Sequence, residues 1–83
     1  MKVNVKYFAS IRESVGTGGE QLDTAAATLG ALRDELIARS GAHAQSLARG
    51  RAVRVALNQV MSSEDSALSE GCEVAFFPPV TGG

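Results

Sequence analysis

The stretch "TLGALRDELIARS", residues 28–40, decides the fold. Leu29, Leu32 and Leu36 recur at the three- and four-residue spacing that places side chains on one face of a helix. Thr28 offers a hydroxyl to the unpaired N–H groups of a first turn. Gly41 is expected to end the helix in a left-handed conformation. Gly30 counts against it by about 1 kcal/mol relative to alanine. This is the one main helix the sequence announces, so its apolar stripe must be covered by what lies on either side.

What lies on either side alternates. In "MKVNVKY", Val3, Val5 and Tyr7 share one face of a strand and Lys2, Asn4 and Lys6 the other. Phe8 falls out of phase, on the polar face. Residues 9–19 read as a short helix-like stretch and a glycine-rich turn. A second strand near Glu20–Asp23 makes a hairpin with the first. Beyond the main helix, residues 42–50 are expected to be a polar connection with room for one helical turn, leaving His43 solvated. Alternation resumes in "RAVRVALN", with Val53, Val55 and Leu57 on one face and Arg54 and Ala56 on the other. Asn58-Gln59 is a turn, followed by a short strand around Val60 and Met61. Leu68 is a core plug and Gly71 a turn residue. The last strand, Glu73–Phe77, divides Val74 and Phe76 from Ala75 and Phe77. One helix among four or five strands specifies an α+β domain over residues 1–77, a mixed sheet with the helix packed on one face. Residues 78–83 form an extended tail.

Eighty-three residues close one core. An apolar fraction of 45% argues for an ordered domain, and a net charge of −1 gives no footprint for nucleic acid. No apolar run reaches membrane-spanning length, and the alternating start is no signal peptide. The expected location is therefore the cytoplasm. A single cysteine and a single histidine exclude an internal disulfide and a structural zinc site. No nucleophile–base–orienter set stands out. Gly16, Gly18 and Gly19 are not a phosphate loop, since no lysine follows at the required spacing. Arg12 and Glu13 read as a solvated pair.

The end of the chain, "VAFFPPVTGG" at 74–83, carries the functional signal. Pro78 and Pro79 favour extended backbone and stop the ladder. Gly82 and Gly83 lack a Cβ, so another protein's active site can close tightly around the carboxyl group of Gly83. Fully extended, six residues reach at most roughly 20 Å. Glycines often end a chain as a frayed tail. Here they follow a buried strand through two prolines, which favours a carboxylate that is itself a reactant.

"VKYFASIRESVGT" at 5–17, "TLGALRDEL" at 28–36, "LNQ" at 57–59 and above all "EGCEVAFFPPVTGG" at 70–83 carry a resemblance. The chain resembles the small, sulfur-carrying subunits of molybdopterin synthases, a ubiquitin-like family. The resemblance implies a β-grasp fold. It implies that a ubiquitin-activating-like adenylating enzyme, using ATP, converts the Gly83 carboxylate to an acyl-adenylate. A sulfur donor protein then makes a thiocarboxylate, which gives its sulfur to cyclic pyranopterin monophosphate in the large subunit, on the way to molybdenum cofactor. It also implies a two-plus-two heterotetramer, no cofactor bound by this chain, and no catalysis by this chain alone. Phe8, Met61 and Phe77 are expected to dock the large subunit, with Pro78, Pro79, Val80 and Thr81 leading Gly82 and Gly83 into its active site. Cys72 stands where the family usually carries an acidic residue and is expected to be inert. Sulfur carriers of thiamine or cysteine synthesis, ubiquitin-like protein modifiers, and a non-covalent interaction domain with an idle tail remain alternatives.

Overall fold

A computed structural model describes residues 1–79. In chain order the elements are β1 (Lys2–Tyr7), α1 (Ala9–Val15), β2 (Gly19–Asp23), α2 (Leu29–Arg39), α3 (Gly41–Leu47), β3 (Arg54–Leu57), β4 (Val60–Ser62) and β5 (Glu73–Phe77). The five strands form one sheet in the order β2-β1-β5-β3-β4. β1 runs parallel to β5, and the other neighbouring pairs are antiparallel. The first and last strands therefore lie side by side at the centre and end at the same edge of the sheet.

The alternation fixes which face is covered. Val3, Val5, Tyr7, Val55, Val74 and Phe76 point inward and are at most 4% exposed. They meet Leu29, Leu32 and Leu36 of α2, Ile11 of α1 and Leu47 of α3 in one cluster. Leu68 closes it from the long connection between β4 and β5, as does Cys72, whose thiol is buried. A one-residue slip of β1 or β5 would turn these side chains into water, so burial locks the register. β3 and β4 meet in a two-residue turn in which Asn58 and Gln59 have φ of 50° and 70°. That primed turn matches the twist of the hairpin strands.

The region after α2 departs from the sequence-based expectation. Residues 42–50 are not a simple connection, because Gly41–Leu47 is a helix. Gly41 is not a left-handed stop. Ser40, extended at φ −156° and ψ 161°, ends α2, and its hydroxyl accepts the His43 N–H at the start of α3. His43 is not solvated either: it is 8% exposed, because His43, Ser46 and Leu47 form the inward stripe of α3.

Gly30 also has a structural reason. A Cβ there would meet Glu64 at 3.1–3.3 Å. The missing side chain lets the β4–β5 connection lie on the first turn of α2, where Gly30 N–H donates to the Glu64 carbonyl at 2.9 Å. The unfavourable helix propensity is offset by this backbone bond and by the contact of two layers.

Candidate docking face and tail root

The sheet face away from the helices carries Lys2, Asn4 and Lys6 of β1, and Glu73, Ala75 and Phe77 of β5. By register, Met61, Ala56, Ala75 and Lys6 form one row across it. Arg54 and Phe77 are partners in the next row. Because β1 and β5 end together, Phe8 lands beside Phe77. Phe8 N–H donates to the Phe76 carbonyl at 3.2 Å, and the two phenyl rings stack with centroids 4.6 Å apart and planes 10° from parallel. Phe8 remains 40% exposed and Met61 55%. Two stacked aromatic rings in water, with Met61 in the adjoining row, make an apolar surface of the kind that protein partners cover.

Pro78 is half-buried and Pro79 exposed at the root of the tail. The sites assigned from sequence to Val80, Thr81, Gly82 and Gly83 lie outside the described residues.

On the inner side, three polar groups converge on one carboxylate. Glu20 accepts from the Tyr7 hydroxyl at 2.7 Å and from Arg39 at 2.7 Å, and its Oε2 lies 3.2 Å from His43 Nε2. The Ser40 hydroxyl sits 2.7 Å from His43 Nδ1. Burial raises the Glu20 carboxyl, but the hydrogen bonds from Tyr7, His43 and Arg39 outweigh it and hold Glu20 below the ordinary value. Burial, then the bond to Glu20, drives the Tyr7 phenol far upward. This cluster ties β1, β2, α2 and α3 together on the covered face of the sheet, the face opposite Phe8 and Phe77. It is a clamp rather than a reaction centre. Among the described residues, no group of three histidine, cysteine or carboxylate side chains could hold a metal. No helix among them is long and apolar enough to cross a membrane.

The clamp has a pH signature. A lowered carboxylate contributes stability above its unfolded value of 4.5 and loses it as the pH falls through the lower folded value. The melting midpoint is expected to drop steeply once the pH passes below 4.5. Glu20→Gln should melt lower than the wild type at neutral pH and show a shallower acid decline by calorimetry. An equally steep decline in the variant would place the acid-sensitive contact elsewhere.

A sequence profile described as the ThiS family matches residues 5–83. The chain belongs to the ThiS family. A curated relative, the molybdopterin synthase sulfur carrier subunit of Escherichia coli, is 43% identical over 81 residues, covering 98% of this chain and 99% of that protein. Among solved structures, SAMP1 from Haloferax volcanii superposes with a TM-score of 0.79 at 29% identity, over 100% of both chains. The complex of subunits 1 and 2 of molybdopterin-converting factor from Helicobacter pylori gives 0.69 at 25% identity, again over the full length of both chains. The ubiquitin-like β-grasp architecture expected from sequence is thus the architecture of this ThiS-family chain.

Proposed function

We propose that this chain is the sulfur-carrier subunit of a molybdopterin synthase, with the Gly83 carboxyl group as the carrying atom set. What supports this reading most is the 43% identity to a sulfur carrier subunit over nearly the full length of both proteins, with the family profile running through residue 83. A carboxylate cannot lose an oxide to an incoming sulfur. In the proposed activation a carboxylate oxygen attacks the α-phosphate of ATP on an adenylating enzyme, and pyrophosphate leaves. A sulfur donor then delivers sulfide, whose attack on the acyl carbon expels AMP and leaves the thiocarboxylate. In the large subunit the thiocarboxylate sulfur bonds to cyclic pyranopterin monophosphate, and water then cleaves the acyl–sulfur bond, leaving the sulfur on the pterin and returning the carrier as a carboxylate. Splitting activation from delivery follows the logic of covalent catalysis. This chain supplies the tail and the docking face, and its partners supply the acid–base groups and ATP. The described residues suit that division of labour, since the Glu20 cluster is a structural clamp on the covered face of the sheet.

Co-production with the activating enzyme tests the reading by intact mass. A sulfur carrier gains the difference between one sulfur and one oxygen atom. A second reading, a protein modifier joined through Gly83 to lysine, is favoured by the likeness to SAMP1, a small archaeal modifier protein. It predicts a mass increase of a whole protein instead.

The docking face gives an independent measurement. Phe77→Ala is expected to weaken association with the large subunit by about 2 kcal/mol or more, the scale of an aromatic hot spot. The melting midpoint should change little, because the ring stacks on Phe8 outside the core. Val5→Ala, 1% exposed on the covered face, should do the opposite and cost stability. A Phe77→Ala domain that melts, losing binding only through unfolding, would show that the ring belongs to the core.

A further inference from the structure

A cleft of about 250 Å³ opens beside the tail root, between α1, α3 and the approach to β3. Pro78, Pro79, Ile11 and Val53 supply its apolar lining, and Ser10, Ser14, Gln45 and Arg51 are among its polar groups. These four side chains all bear hydrogen-bond donors, and among the described residues none spends one within the molecule. Three of the other arginines behave differently, whereas Arg12 of α1, like Arg51, has no ion pair among the described residues. Arg33, Arg39 and Arg49 each hold a carboxylate. Three residues after Arg51, at the start of β3, Arg54 stands in register with Phe77 and also has no ion pair among the described residues. The carboxylate nearest in sequence on β5, Glu73, is engaged by Lys6 at 3.3 Å. The root of the tail therefore lies beside two guanidinium groups that have no ion pair among the described residues, in a chain whose net charge is −1.

We propose that this cleft seats an acidic loop of the protein that receives the tail, with Arg51 gripping a partner carboxylate and Ser10, Ser14 and Gln45 donating to it. The inference rests on the sulfur-carrier reading and extends its interface. Any protein that closes around residues 80–83 must come up against both walls of the stalk, so the cleft is continuous with the Phe8–Phe77 surface. A site with donors from four side chains and no carboxylate in its lining is complementary to a carboxylate. An arginine at the rim of an interface acts mainly by steering encounter, so its contribution should appear in the association rate and fade with salt.

The test is stopped-flow association of the full-length carrier with the large molybdopterin synthase subunit of the same organism, across ionic strength. Arg51→Glu is expected to keep the wild-type melting midpoint and slow association on the order of tenfold at low salt. The difference should close at about 1 M salt, where charges are screened within a few ångström. Phe77→Ala, run in parallel, should act mainly on dissociation at every salt concentration. An unchanged Arg51→Glu rate beside normal wild-type binding overturns the cleft proposal alone. Faster association of the variant also overturns it, because it would mean that the cleft holds the carrier's own tail or faces a basic surface. Failure of the wild type itself to bind the large subunit overturns the sulfur-carrier reading and takes the cleft proposal with it.

Discussion

A variant ending at Gly82 is expected to accumulate no thiocarboxylate when produced with the proposed activating enzyme. The same holds for a variant extended by one residue after Gly83. Both changes remove the reacting carboxyl group from its place: the first shortens the reach by about 3.5 Å, and the second converts the carboxylate into an amide. A displacement of that size in a near-attack geometry is enough to suppress a reaction by orders of magnitude. The described core ends at Phe76 and β5 at Phe77, so both variants should fold and melt like the wild type. Intact mass after co-production, with a melt on the same sample, separates lost chemistry from lost structure. Normal sulfur loading of the shortened chain would remove Gly83 from the mechanism. It would leave the docking face and fold as described.

Arg33→Ala is expected to cost about 3–5 kcal/mol. Arg33 is 3% exposed although it is always charged. Its guanidinium donates to the carbonyls of Leu47 at 2.8 Å, Ala48 at 2.7 Å and Arg51 at 3.1 Å, and to Glu64 at 2.8 Å. Glu64 is shared with Arg49, which also holds Asp34 and the Gly30 carbonyl. One side chain thus collects the backbone at the end of α3, the chain leading to β3 and the β4–β5 connection. Truncation leaves three carbonyls without their donor and the Glu64 carboxylate without one of its two arginines. The midpoint should fall by about 12 °C or more for a domain of this size. Arg33→Lys should recover only part, since an ammonium cannot reproduce the planar fork that reaches several carbonyls at once. A midpoint for Arg33→Ala within about 3 °C of the wild type would show that water replaces the guanidinium at little cost.

Most of the architecture was legible because it follows from period. Val3, Val5 and Tyr7 alternate, Leu29, Leu32 and Leu36 repeat at helical spacing, and both patterns reappear as the covered faces. The phase of Phe8 and Phe77 was legible for the same reason. α3 was missed because seven residues give less than two repeats of a helical period, and Ser40-Gly41 reads equally as a stop and as a start. Arg33 left a signal that went unused: it lies four residues after Leu29 and three before Leu36, at a position in phase with the apolar stripe. A charge in that phase can point only at buried acceptors.

Period and composition thus determined by themselves which apolar residues of β1, α2 and β5 are inside and the order of the strands around the main helix. They could do so because burial of apolar surface acts on each strand and helix locally, through spacing alone. Tertiary structure alone decided what those elements bring together. It seated Glu20 among Tyr7, Arg39 and His43, fastened three segments to Arg33, and set Phe8 against Phe77 where β1 and β5 end in parallel. Hydrogen bonds and ring stacking are short-ranged and directional, so partners 13 to 69 residues apart are fixed only once the sheet has closed.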